Sequence, residues 1–384
     1  MKSKRFRSEA LLLFILFVPC MLSAKGEKPL TKTQADALKT QLVGEWKAAT
    51  KAATAEVYNT QTAFSDSLKM PLWWTTYGEK PADGYSLYIS LHGGGTAPKS
   101  VNDQQWDNQK RLYRPKNCVY VAPRAPWDQW NMWCRTGIDE LYSQLIRMCV
   151  SWLDVNPDKV YIMGYSAGGD GVWRMAPRMA DTWAAASMMA GHPGDVSMLN
   201  LRNTPYMIWC GALDAAYDRN KLDAERGVQL DSLQNADPGG YIHKTVIAEG
   251  MGHWMNRIDT VAVDWMAQYQ RNPYPKTIVW QQEEIRKPFF YWIEAPANQL
   301  YRGKTVRLGV SGNTIDITQC DYPSLTLYLN DDIVDLDQKV VVRYNGKNLF
   351  RGKLKRSSTL MRETLTQRND PSYVFPAKVK ISLK

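Results

Sequence analysis

Ser166 stands at the centre of Gly164-Tyr165-Ser166-Ala167-Gly168, a G-x-S-x-G pattern. Five residues of this kind arise by chance, so context decides what they mean. The apolar run 159–163 before the pattern reads as a strand, and the stretch from Gly168 reads as a helix that ends or kinks near Pro177. A serine on a sharp strand-to-helix turn is held in a strained backbone conformation, and glycines two before and two after it keep the turn free of collisions. The hydroxyl is lifted above the sheet edge, over the N–H groups of a helix start that favour developing negative charge. The chemistry this permits is nucleophilic attack on a carbonyl carbon.

A serine hydroxyl needs a base, and the base needs an acid to orient it. The chain has four histidines, at 92, 192, 243 and 253. His243 begins a strand-like run and reads as a packing or surface residue. His192 follows an apolar strand, near the site but early for a base in the order serine, acid, histidine. His253 lies in the glycine-rich stretch Gly250-Met251-Gly252-His253-Trp254 after the last strand-like run, and is the candidate base. Gly211-Ala212-Leu213-Asp214 turns out of the apolar run 205–210, which makes Asp214 the candidate acid, with Asp218 as the alternative.

His92-Gly93-Gly94-Gly95 follows the strand-like run 85–91. Glycines let a backbone approach a ligand closely and aim N–H groups at it. Gly94 and Gly95, with the N–H of Ala167, are candidates for an oxyanion hole; the competing reading is a flexible glycine turn. His92 reads as structural, holding the loop in shape. In the stretch 125–133, Trp127, Trp130 and Trp133 recur every third residue, past the strand ending at Ala122, and Trp254 sits beside the candidate base. Indole faces stack on sugars and aromatic acyl groups, so these four, with His192, are the candidate substrate-binding residues. Core packing is the competing use, and Arg124 and Asn131 are polar candidates in the same loop.

The elements that must position these side chains follow from periodicity. Strand-like runs at 85–91, 118–122, 159–163, 184–190, 205–210 and 243–248 alternate with helical patterns at 138–153, from 168, at 221–233 and at 257–270, with Asn156-Pro157 ending the first of these. That alternation predicts an α/β domain with a doubly wound, mostly parallel sheet covered on both faces. Residues 25–70 read as a helical segment, 71–275 as the catalytic domain and 276–384 as a small all-β, sandwich-like domain. The last part shows short β-type segments from 289 to 383, and Asn345-Gly346 is a hairpin turn signal.

Taken in order, His-Gly-Gly-Gly, Gly-Tyr-Ser-Ala-Gly-Gly, Gly-Ala-Leu-Asp and Gly-Met-Gly-His resemble the α/β-hydrolases of the polyester-depolymerase, feruloyl-esterase and dienelactone-hydrolase-like group, over about residues 71–272. The resemblance implies nucleophile, acid and base roles for Ser166, Asp214 and His253. Ser166 stands where true dienelactone hydrolases carry cysteine, which sets that substrate aside. The tail from about 276 resembles the β domain of some exported bacterial hydrolases.

Composition bounds the rest. At 384 residues with 44% hydrophobic and 22% charged residues, the chain is of ordinary globular make-up and long enough for two domains. Residues 1–24 combine a basic start (Lys2, Lys4, Arg5, Arg7), an apolar run at 11–18 and a small residue at Ala24, the pattern of an export signal. A buried N-terminal helix and a lipidated Cys20 are the alternatives. No later run is long enough to span a bilayer. The net charge of +10 is uneven: 25–275 is neutral, whereas 276–384 carries 18 basic against 11 acidic residues. In an exported protein this fits an anionic polysaccharide or plain solubility better than nucleic acid. Cys118, Cys134, Cys149, Cys210 and Cys320 form no C-x-x-C pair. Asp331, Asp332, Asp335 and Asp337 lack the glycine of an EF-hand loop and read as turn and surface residues. No metal or organic cofactor is expected. The expected activity is hydrolysis of a carboxylic ester, on a small molecule or polysaccharide with an acyl or feruloyl group. A serine peptidase and a non-catalytic glycan-binding protein are the competing readings.

Overall fold

The computed structural model describes residues 27–383; the leader read at 1–24, Cys20 included, lies outside the described residues. The chain opens with α1 (Lys32–Ala53), started by a reciprocal cap in which the Thr31 hydroxyl accepts the Gln34 N–H and the Gln34 side chain accepts the Thr31 N–H. A short α2 (Ala55–Thr60) follows. The helical reading of 25–70 stops there, because β1 (Thr62–Ser65) and β2 (Leu68–Tyr77) are strands. Pro71 disguises β2, yet it falls where β2 passes from pairing with β1 to pairing with the next strand, so its missing N–H disturbs little.

β3 (Tyr85–Leu91), β4 (Cys118–Pro123), β5 (Val155–Tyr165), β6 (Ala185–Met189), β7 (Tyr206–Gly211) and β8 (His243–Ala248) complete an eight-stranded sheet of order β1-β2-β4-β3-β5-β6-β7-β8. β4 to β8 and β3 run parallel, and β1 and β2 are antiparallel. Side chains alternate across it. Leu87, Ile89, Leu91, Val119, Val121, Val160 and Ile162 face one core, whereas Tyr88, Tyr120, Tyr161 and Met163 face the other. α4 (Ile138–Trp152), α5 (Ala167–Arg178) and α6 (Arg219–Ala236), together with α1, cover the first face, and α7 (Val261–Met266) packs on the second, which α3 (Lys99–Leu112) borders with Trp106 and Leu112. Both faces are thus buried, as a parallel sheet requires. Asn156-Pro157 does not follow a helix end but lies inside β5, in a stretch where the register with β3 slips. The closing helix is shorter than the 257–270 pattern, since Asn256 and Arg257 have positive φ and α7 starts only at Val261.

After 275 come two further sheets. β9 (Thr277–Gln281), β12 (Thr305–Ser311), β13 (Thr314–Cys320), β15 (Val340–Tyr344) and β16 (Lys347–Gly352) form one, and β10 (Phe289–Phe290), β11 (Ile293–Glu294), β14 (Ser324–Leu329) and β17 (Ala377–Ser382) the other. Their inner faces share a core that includes Ile278, Val306, Ile315 and Val342 from the first and Ile293, Leu327 and Ile381 from the second. The β15–β16 turn has Asn345 and Gly346 both at positive φ, the geometry that this dipeptide favours. The sandwich is not purely β: α8 (Ser358–Arg368) places Leu360 in the sandwich core and Met361 and Leu365 in the core under α1. Arg356 binds Asp331 through two bonds and Asp337 through one, so two of the four clustered aspartates are neutralised by a guanidinium.

Candidate active site

Ser166 occupies the turn between β5 and α5 with φ 58° and ψ −121°, a conformation that a non-glycine residue holds only when its surroundings enforce it. A Cβ on Gly164 would collide with the Gly168 carbonyl, and one on Gly168 with the Leu91 carbonyl. The flanking glycines therefore let β5, β3 and α5 close around the serine. Its Oγ lies 2.9 Å from His253 Nε2, and His253 Nδ1 lies 2.7 Å from Asp214 Oδ2. Asp214 is buried, whereas the His253 ring is nearly half exposed. Arg219 stands 3.4 Å from the other carboxylate oxygen of Asp214. Asp218 points away and pairs with Lys221 on the surface, so it is not the partner of His253.

Three features that the motifs did not disclose hold this relay. The loops carrying Asp214 and His253 are bonded to each other, Ala212 N to Ala248 O at 2.9 Å and Leu213 N to Met251 O at 2.8 Å. They approach so closely that a Cβ on Gly211 would strike the Gly252 carbonyl. Tyr165 donates its hydroxyl to His253 O at 2.6 Å and accepts the Met255 N–H at 3.0 Å, which ties the His253 loop to the Ser166 turn. Asn102, in the first turn of α3, receives the Gly95 N–H at 3.1 Å and donates to the carbonyls of Gly95 and Ala97. The only sequence signal for these roles is the polar type of a residue beside a motif, because their partners are remote in the chain.

The Asn102 bond revises the oxyanion reading. The Gly95 N–H is already used, so Gly95 is not a free donor. Gly93 and Gly94 line the cleft with Ser166, and the N–H groups of Gly94 and Ala167 have no partner among the described residues. Gly94 has φ 116°, and a side chain there would strike Asn102 Oδ1. His92 is structural: its Nδ1–H donates to Gly93 O at 2.6 Å and its Nε2 accepts the Ala125 N–H at 3.1 Å. Burial lowers its pKa to about 4, which keeps that neutral tautomer.

The tryptophans divide. Trp254 is 51% exposed and lines the cleft beside Ser166 and His253. Trp133 is buried, donates from Nε1 to His92 O at 2.9 Å and supports the glycine loop from beneath, so it cannot touch a substrate. Trp127 is partly buried under the Arg135 guanidinium, and Trp130, 58% exposed, has Arg174 5.6 Å over its ring. Neither lines the cleft at Ser166, nor does His192, which is held against α5 by its backbone N–H to Asp170 Oδ1. Trp173 is core. Arg124 is engaged with Asp103 and Asp128 under the loop, and Asn131 is not among the cleft walls. His243 lies at the far end of β8, bonded to Asp231. The five described cysteines are all free thiols, and burial pushes Cys118 up to about 12 and Cys320 up to about 11.

The strand order, the Ser166 turn after β5, Asp214 after β7 and His253 after β8 define an α/β-hydrolase fold. No protein-family model matches the chain, and no curated protein matches it. Part of the chain is similar to several solved structures. A thermostable esterase is similar at 19% identity and TM-score 0.43, over 54% of this chain and 62% of that one. A ferulic acid esterase is similar at 17% and 0.37 (54% and 96%). An acetyl xylan esterase from Aspergillus awamori is similar at 13% and 0.36 (52% and 94%).

Proposed function

We propose that the chain is a serine hydrolase that cleaves carboxylic esters through an acyl-enzyme, on an extracytoplasmic substrate. The observation that carries this reading is the continuous relay from Ser166 Oγ through His253 to the buried Asp214 carboxylate. Asp214 accepts the Nδ1–H of His253, which leaves Nε2 free to take the serine proton. Ser166 Oγ then attacks the ester carbonyl, and the oxyanion that forms is met by the N–H groups of Gly94 and Ala167. His253 returns the proton to the departing alcohol. Water attacks the acyl-serine in the second half, with His253 again as base, and the acid is released. An acyl or feruloyl ester on polysaccharide is the substrate this reading favours, supported by the exposed Trp254 face beside the relay and by a cleft of about 710 Å³ open to solvent.

Turnover of nitrophenyl esters against aminoacyl and peptidyl nitroanilides tests the reading. Wild type is expected to cleave the esters in preference to the amides. Ser166→Ala is expected to lower kcat by on the order of 10⁴ to 10⁶, and Asp214→Asn to lower it far more than Asp218→Asn. Ester turnover unchanged in Ser166→Ala, or equal small effects of the two asparagine variants, would overturn it.

A further inference from the structure

One wall of the cleft at Ser166 is α3. Val101, Gln105, Asn108 and Leu112 recur at i, i+4, i+7 and i+11, which puts them on a single face of that helix, and all four line the cleft. The middle of that face carries two amides, Gln105 partly buried and Asn108 exposed, both facing the cleft that holds Ser166. Neither Gln105 nor Asn108 has a side-chain hydrogen bond to a described residue, whereas the neighbouring Gln109 is engaged with Ser90 Oγ at 2.7 Å. Each free amide offers a donor and an acceptor, the pairing that vicinal hydroxyls satisfy. The same cleft is lined by the exposed indole of Trp254, a flat apolar face for a pyranose ring.

The charges in the cleft point the same way. Its walls include two guanidiniums, Arg111 and Arg257, and no carboxylate. Arg257 is pinned by a 2.8 Å bond from Nη2 to Leu112 O, at the C-terminal end of α3. Arg111 is exposed and makes no ion pair with a described residue; the nearby Asp107 is taken by Lys110. A guanidinium presents a planar fork that matches a carboxylate in two parallel bonds. Hydroxyl-reading amides, a stacking face and an unmatched positive end occur together in the cleft that holds the reacting atoms.

We propose that this cleft receives a sugar unit carrying a carboxylate, so that the ester cleaved at Ser166 sits on or beside a uronic-acid residue, with Gln105 and Asn108 reading hydroxyls and Arg111 reading the acid. The proposal rests on the ester-hydrolase reading for its chemistry, but binding can be measured without turnover. The probes are a galacturonic acid trimer and the matching neutral galactose trimer, titrated calorimetrically into the full chain carrying Ser166→Ala. The acidic trimer is expected to bind about tenfold tighter or more, about the discrimination one charge-assisted bidentate contact confers. In that background Arg111→Ala is expected to remove most of the preference and Arg111→Lys to restore part of it, while Gln105→Ala weakens both trimers alike. Lys347→Ala with Arg351→Ala, on the exposed β15–β16 hairpin, controls for the general basic charge of the tail and is expected to leave both affinities unchanged. Equal affinity for the two trimers overturns the proposal, as does a preference that follows the hairpin variant and not Arg111. Wild type that fails to label with a fluorophosphonate, while the acidic preference persists, would instead overturn the hydrolase reading and leave the acidic-sugar cleft standing.

Discussion

Ser166, Asp214 and His253 were legible as types and positions because each sits in a short glycine-containing motif, and their order along the chain matches the order of the strands that deliver them. What is invisible at this scale is contact. Trp133 and Trp254 look alike in the sequence, yet one is 1% exposed beneath His92 and the other 51% exposed at the cleft, since only the tertiary fold decides which indole faces solvent. Asp223 is a second case. It lies on the inward side of α6, fully buried, with neither carboxylate oxygen hydrogen-bonded to a described residue. Burial raises its pKa to about 8. An Asp whose folded pKa exceeds its unfolded value, near 4, binds its proton more tightly in the folded state. Its contribution to stability is therefore full below that value and declines as pH rises towards about 8. Asp223→Asn removes this titration, so the melting temperature of the variant relative to wild type is expected to rise between pH 5 and pH 8. An offset that stays constant across that range would contradict the assignment.

At the scale of elements, hydrophobic alternation disclosed β3 to β8 and hence the parallel sheet. It failed where proline interrupts a strand, as Pro71 does in β2 and Pro157 in β5, because the local rule against proline holds only where the ladder needs its N–H. It also missed α8, whose buried side chains serve two different cores and so follow no single stripe. The loops at the site are positioned by bonds between elements. Tyr165, at the end of β5, spans the His253 carbonyl and the Met255 N–H. Tyr165→Phe leaves both backbone groups without that partner and frees the loop that carries His253. The expected result is a fall in kcat of about tenfold to a hundredfold with a small change in KM, as a displaced base produces. Steady-state kinetics with a nitrophenyl ester checks this, and wild-type kcat in the variant would show that the loop is held by other means.

For the whole molecule, the sequence showed a change of pattern at Asn272–Pro275 and a shift from neutral to basic charge, which reads as a boundary between separable parts. The structure stitches across it. Arg271, with a side chain 2% exposed, binds Asp158 of β5 and Asp370 beyond α8, and Asn200 pairs with both backbone groups of Gln281 in β9. Trp46 of α1 reaches Asn369. Such bonds join residues from 81 to 323 positions apart, so no local pattern announces them. Removing Arg271 strands two carboxylates and is expected to cost about 3 kcal/mol. The neighbouring guanidinium holds Asp370, against the opposing effect of burial, below the usual carboxylate range. A lowered carboxylate contributes stability above its unfolded pKa and loses it as pH falls through the folded value. Wild type should thus lose stability on acidification more steeply than Arg271→Ala, in denaturant unfolding followed at several pH values. Parallel curves would show that the pair does not couple the two parts.

Ser166 as an activated nucleophile is tested most directly by one measurement. Wild-type protein treated with a fluorophosphonate, digested and mapped by mass spectrometry is expected to carry a single stoichiometric adduct on Ser166, absent after prior unfolding and absent from His253→Ala. A folded protein that takes up no adduct, or that carries it on another residue, would contradict the account.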